Sequence, residues 1–260
     1  MHKFEVPYNQ REDFFDYLAA NEDLREYIAS IYTPAYQDDA ENTRKHLLSR
    51  EYAPKSFEEY CEHIKRIQDA GYDVNILMQR GATFEAVVKY YRLGIRIFTI
   101  ADEALAKNMK DVYDDVTTIC SITRCLKFNE FFDLDLSMYD IIVLPFCFNR
   151  WLNGIKKLPT KYKYMLLANS TCCAYCEHAE EHWFNDLGTG MKCFYENDPY
   201  AMVIEIQPDH LAIFDPYIYM YKLVDREAPS ESIFRALRLY SQQSDTYNAY
   251  EDWLNINRRK

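Results

Sequence analysis

Glycine and proline are scarce in this chain, 6 and 9 of 260 residues, which argues against collagen-like repeats and linker-rich or disordered architectures. Basic residues are in deficit. Thirty Lys and Arg face forty-one Asp and Glu, a net charge of -11, the reverse of the balance that neutralises duplex phosphates; nucleic acid is therefore disfavoured as a partner. Long hydrophobic runs are missing too. The longest, Ile141 to Phe148, is less than half of the ~20 residues a membrane-spanning helix needs. The opening stretch Met1 to Asn9 has no apolar core of the kind a secretory signal carries, so a cytoplasmic location is expected. No nucleophile elbow, H-E-x-x-H, P-loop or G-x-G-x-x-G occurs, which sets aside the commonest hydrolase, zinc-protease, nucleotide and dinucleotide chemistries.

What is present is a regular order of short apolar runs and helical stretches. Strand-like runs fall at Phe4 to Tyr8, Tyr27 to Thr33, Asp73 to Met78, Ile95 to Ile100, Val116 to Ile122, Asp140 to Phe146, Tyr164 to Ala168 and Ile218 to Val224. Several lack strict alternation, as parallel strands buried on both faces do. Between them, Ser56-Phe57-Glu58-Glu59 reads as a capping box ahead of a helix bearing Tyr60, Ile64 and Ile67 and stopped by Gly71. Thr83 opens a second helix that Gly94 ends. Eight such units in this length predict one TIM-like (β/α)8 barrel over 1–260, regular or irregular, in preference to an open doubly wound sheet. The chain after the seventh run is longer than one unit needs, so an enlarged loop is expected at the C-terminal face of the strands, where barrels carry their sites.

Most of the eight cysteines fall between Cys120 and Cys193, densest in Asn169-Ser170-Thr171-Cys172-Cys173-Ala174-Tyr175-Cys176. In a reducing compartment they are expected to remain thiols unless a metal or redox cycle recruits them. Cys172, Cys176 and Cys193, with His178 and His182 between them, could enclose zinc or an iron–sulfur cluster. Cys120 and Cys147 close the fifth and sixth runs, and in a barrel both would approach the same mouth. Cys61 and Cys125 read as small buried hydrophobes. Cys173-Ala174-Tyr175-Cys176 is formally a redox pair, but it does not open a helix in an early βαβ unit as thioredoxin-type pairs do.

Three blocks in sequence, Leu144-Pro145-x4-Arg150, Asn169-x2-Cys172-x3-Cys176-x5-His182 and Lys222-Leu223-x-Asp225-Arg226, resemble the peptidase U32 family. The resemblance spans about Val116 to Tyr240 and is more diffuse before it. It implies a TIM-barrel-like core and, as in several members, a [4Fe-4S] cluster on four cysteines. The activities it implies are collagen-type proteolysis or oxygen-independent hydroxylation of RNA bases or of a quinone ring precursor, with prephenate implicated as oxygen donor. Carried over by position, Cys172 and Cys176 match the core pair and Cys193 is the third ligand. Cys147 is the preferred fourth, with Cys173, Cys120 or His182 as substitutes. Asp225 stands where the family usually has Gly, and no cysteine follows Cys193. The length is closest to the short hydroxylase-partner type, whose members act beside a second family protein.

Of the remaining polar residues, Arg80, Arg150 and Arg226 would share one rim of a barrel and could hold a carboxylate or phosphate. Internal ion pairs with Asp102, Glu103 or Asp225 are the alternative. His182 could serve as acid-base group, ligand or donor to the cluster, or simply as a hydrogen-bonded histidine beside Trp183. Three functions follow as expectations. The first is oxygen-independent modification of a small or carrier-held anionic substrate by an iron–sulfur enzyme using His182, Arg150 and Arg226. The second is metal-dependent peptide hydrolysis. The third is a non-catalytic barrel with structural metal that holds a family-related partner.

Overall fold

The computed structural model describes residues 1–36, 52–78, 81–170, 205–224, 226 and 228–242. Eight parallel strands pair in chain order and close into a barrel: β1 Phe4–Pro7, β2 Ile28–Pro34, β3 Val74–Met78, β4 Ile97–Ile100, β5 Thr117–Cys120, β6 Ile141–Val143, β7 Lys163–Leu167 and β8 Met220–Lys222. Each lies inside its expected run or one residue beyond it. Pairing of β1 with β8 through Phe4↔Tyr221 and Glu5↔Lys222 closes the ring, so the barrel holds and the open sheet does not.

The surrounding helices are α1 Asp13–Ala20, α2 Phe57–Asp69, α3 Phe84–Arg92, α4 Glu103–Val112, α5 Glu130–Asp133, α6 Leu152–Ile155 and α7 Ser230–Ser241. Ser56 Oγ accepts from the Glu59 amide at 3.1 Å and fixes the start of α2. The Glu59 carboxylate reaches one residue further back than a capping box requires, accepting from the Lys55 amide at 2.6 Å. Gly71 follows α2 at φ +79°, a backbone conformation that favours glycine. Thr83 caps α3 through the Ala86 amide. Two helices are reduced to single turns, α5 and α6, which makes the ring irregular after β5.

Barrel closure separates two apolar regions. The larger lies between strands and helices and takes Phe4, Val6, Ile76, Phe98, Ile142 and Leu166 from the outer faces of the strands. The smaller fills part of the barrel interior with Ile119, Ile141, Val143, Met165, Leu167 and Met220. Neighbours such as Ile141 and Ile142 therefore belong to different cores, which is why these runs show no polar alternation.

Candidate functional site at the C-terminal mouth of the barrel

The rest of the interior carries a polar network. A register shift between Phe4 and Glu5 sets Glu5 opposite Ser30, and bulges of this kind re-aim a side chain. Glu5 is wholly buried. Its Oε1 accepts from Ser30 Oγ at 3.0 Å and from Asn75 Nδ2 at 2.6 Å, and its Oε2 accepts from Lys222 Nζ at 2.6 Å. Asn75 also exchanges hydrogen bonds with Thr99. A buried charge is tolerated only when paired and hydrogen-bonded, and Glu5, paired with Lys222 and accepting three hydrogen bonds, meets both conditions.

Lys222 ends β8 at the mouth. Its Nζ lies 3.6 Å from the centroid of the Tyr32 ring, and Arg226 Cζ lies 5.9 Å from the same ring, both in cation–π range. The Tyr32 hydroxyl donates to the Leu223 carbonyl at 2.8 Å. Burial holds the Lys222 ammonium below the usual lysine range, opposed by the Glu5 carboxylate and reinforced by the Arg226 charge. Arg226 is itself buried. A hydrogen-bonded carboxylate thus pairs with Lys222, and Lys222 and Arg226 share one aromatic ring.

Asn169, the first residue of the expected cysteine block, has a definite structural task. Its Oδ1 accepts from the Val224 amide at 2.6 Å and its Nδ2 donates to the Val224 carbonyl at 3.3 Å, so the side chain imitates a strand peptide and fastens the exit of β7 to that of β8. The chain returns at the same place: the Ile206 amide donates to the Ala168 carbonyl at 2.8 Å, and Arg150 Nη2 donates to the Glu205 carbonyl at 2.7 Å. Segment 171–204 is therefore anchored at both flanks to the mouth. Cys172, Cys173, Cys176, His178, His182 and Cys193 lie within it and outside the described residues; Arg80 and Asp225, elsewhere in the chain, are also outside the described residues.

The expected approach of Cys120 to the mouth is not observed. Ile119 faces the barrel interior, so the next residue must face the helices, and Cys120 belongs to the outer core. Burial pushes its thiol up to about 12. Cys147 stands in the turn Phe146–Arg150 after β6, half-buried against the same outer core, and burial raises its thiol as well. Among the described residues no three His, Cys, Asp or Glu side chains form a group that could hold a metal ion. Asp102 and Glu103 do not face the mouth cations: Asp102 caps α4 through the Leu105 amide, and Glu103 pairs with Arg124 at 2.9 Å. Sequence reasoning overlooked Glu5, Ser30, Asn75 and Thr99. The available signal was a charged or amide residue inside a strand otherwise apolar on both faces, as in Phe4-Glu5-Val6 and Val74-Asn75-Ile76.

No family model matches the chain, and no curated protein matches it. Among solved structures the barrel is similar to the U32 peptidase Mk0906, with TM-score 0.58, 14% identity, and coverage of 86% of this chain and 93% of that one. It is also similar to tryptophan synthase from M. tuberculosis, with TM-score 0.53, 8% identity, and coverage of 92% and 89%. Likeness at such identities establishes the TIM-barrel fold. No described helix is long and apolar enough to cross a membrane.

Proposed function

We propose that this chain is an enzyme similar to the U32 proteins, with its active centre at the C-terminal mouth. In this reading Cys172, Cys176 and Cys193, with Cys147 as fourth ligand, hold an iron–sulfur cluster for oxygen-independent hydroxylation of a small or carrier-held anionic substrate. The observation that supports it is the double anchoring of segment 171–204, through Asn169 on one flank and Glu205 and Ile206 on the other, beside Lys222 and Arg226. The likeness of the barrel to a U32 peptidase supports it further.

When bound, such a cluster supplies one-electron chemistry. The chain's own residues do the rest. Arg226 offers a charge to an anionic substrate, and Arg150 acts as a positioning residue that holds the returning chain by the Glu205 carbonyl. His182 is assigned proton transfer. Cys147, a half-buried neutral thiol, must lose its proton on ligation, as metal-bound thiols do. Metal-dependent peptide hydrolysis is the second reading, favoured by the peptidase activity in the name of the similar barrel.

Anaerobic purification with iron, zinc and acid-labile sulfide analysis and a visible spectrum tests the proposal. We expect iron and sulfide in the natural chain, their loss in Cys172→Ser and Cys176→Ser, and their retention in Cys61→Ser. Zinc in place of iron overturns the hydroxylation reading and leaves hydrolysis, whereas a chain free of both metals overturns both.

A further inference from the structure

We propose that the exits of β8, β1 and β2 form a subsite for an oxyanion, a carboxylate or phosphate group of the substrate, built from Lys222, Arg226 and Gln10. This deepens the reading above by naming the substrate class. It rests on that reading only in taking the mouth as the place of reaction, and it requires no metal.

Gln10 carries the inference. It lies just beyond β1 with φ +64°, the left-handed region that glutamine rarely occupies and that marks functional sites when the fold retains it. It is 4% exposed, and its side-chain Nε2 is buried with no hydrogen-bond partner. A strained residue with an unanswered buried donor is a double cost. A ligand that accepts from that donor accounts for it.

The neighbourhood offers donors and charge. Asn9 Nδ2 donates to the Ala228 carbonyl and to Ser230 Oγ, both at 3.0 Å, so the exit of β1 is fastened to that of β8 two residues beyond Arg226. Lys222 gives one hydrogen to Glu5 and rests on the Tyr32 ring. Glu5 is already engaged through both oxygens by Ser30, Asn75 and Lys222, and the Tyr32 hydroxyl is committed to the Leu223 carbonyl. Helix α7 begins two residues beyond Ala228, and its first residue is already engaged, Ser230 Oγ donating to the Asp13 carboxylate at 2.6 Å. Arg226, Lys222 beyond its one bond to Glu5, and the amide donor of Gln10 select a ligand that supplies acceptors and negative charge.

Thermal unfolding of the full chain with inorganic phosphate, acetate or succinate, against chloride at equal ionic strength, tests the subsite. We expect a saturable rise in midpoint with phosphate or with a carboxylate, and which of them acts identifies the group. Arg226→Gln should weaken that response about tenfold or more, as loss of a charged hydrogen bond does. Gln10→Gly should weaken it too, yet raise the midpoint of the ligand-free protein, because glycine relieves the φ and removes the unanswered amide. The proposal is overturned if no oxyanion shifts the natural chain, or if the shift persists undiminished in both variants. Iron content is read on the same samples. A metal-free chain that still responds to oxyanion defeats the cluster reading alone, and an iron-loaded chain that does not respond defeats the subsite alone.

Discussion

The two sides of the barrel interior are built on opposite principles. From β5 to β7 the inward positions are Ile119, Ile141, Val143, Met165 and Leu167, a packed apolar wall. From β8 round to β4 they include Lys222, Glu5, Ser30, Asn75 and Thr99, joined by hydrogen bonds. The apolar wall gains stability from burial at about 1.5–3 kcal/mol for each large side chain and tolerates substitutions that conserve volume. The polar wall gains little net stability, because removing two charges from water offsets most of their attraction. It does hold a cation at a defined point beneath the mouth, which an apolar wall cannot. The comparison teaches that one side of this barrel is a foundation and the other is shaped for chemistry.

The most severe way to break the contrast is to remove half of the ion pair. Glu5→Gln leaves the Lys222 ammonium without its counter-charge and should cost about 3–5 kcal/mol in chemical denaturation. Adding Lys222→Met should recover most of that loss. If the double variant is as unstable as the single one, the network rather than the charge is what the fold needs. On the apolar side, Met165→Ala should cost about 2–5 kcal/mol by loss of burial and the cavity left behind, with no change in the response to oxyanions. A changed response would mean that the two sides are not independent.

The smallest effect belongs to the outer face of the apolar side. Cys120→Ala should cost about 1 kcal/mol and leave any bound metal in place. Its thiol is held protonated in the fold, up from 9.0 to about 12. The unfolded chain therefore loses that proton first as pH rises. The natural chain should lose stability relative to Cys120→Ala as pH climbs from 9.0 towards about 12, and the difference between the two should be constant below 9.0. Paired denaturation curves across that range check the sign.

All eight strands were legible because the outer face of each keeps apolar positions, such as Phe4, Ile31, Ile76 and Phe98, even where the inner position is Glu5, Ser30, Asn75 or Thr99. The caps of α2 and α3 were legible because Ser56 and Thr83 act on amides three residues away. What escaped depended on which face each residue takes. Cys120 was expected at the mouth because it ends its strand, but one step along a strand reverses the side chain, and Ile119 had already taken the interior. Glu5 and Lys222 are 217 residues apart and meet only because the last strand pairs with the first. Each alone resembles an ordinary surface charge. Of the residues assigned to the site, Arg150, Arg226 and Cys147 lie among those described; His182, Cys172, Cys176 and Cys193 do not.

The amide of Asn169 substitutes for a peptide group in the ladder to Val224, and Ile206 then takes up the next rung on Ala168. Rungs between the last two staves are thus supplied by residues on either flank of the intervening stretch. A graft cut after Ser170 and rejoined at Glu205 would keep those rungs, so new loops could be trialled on the same cylinder.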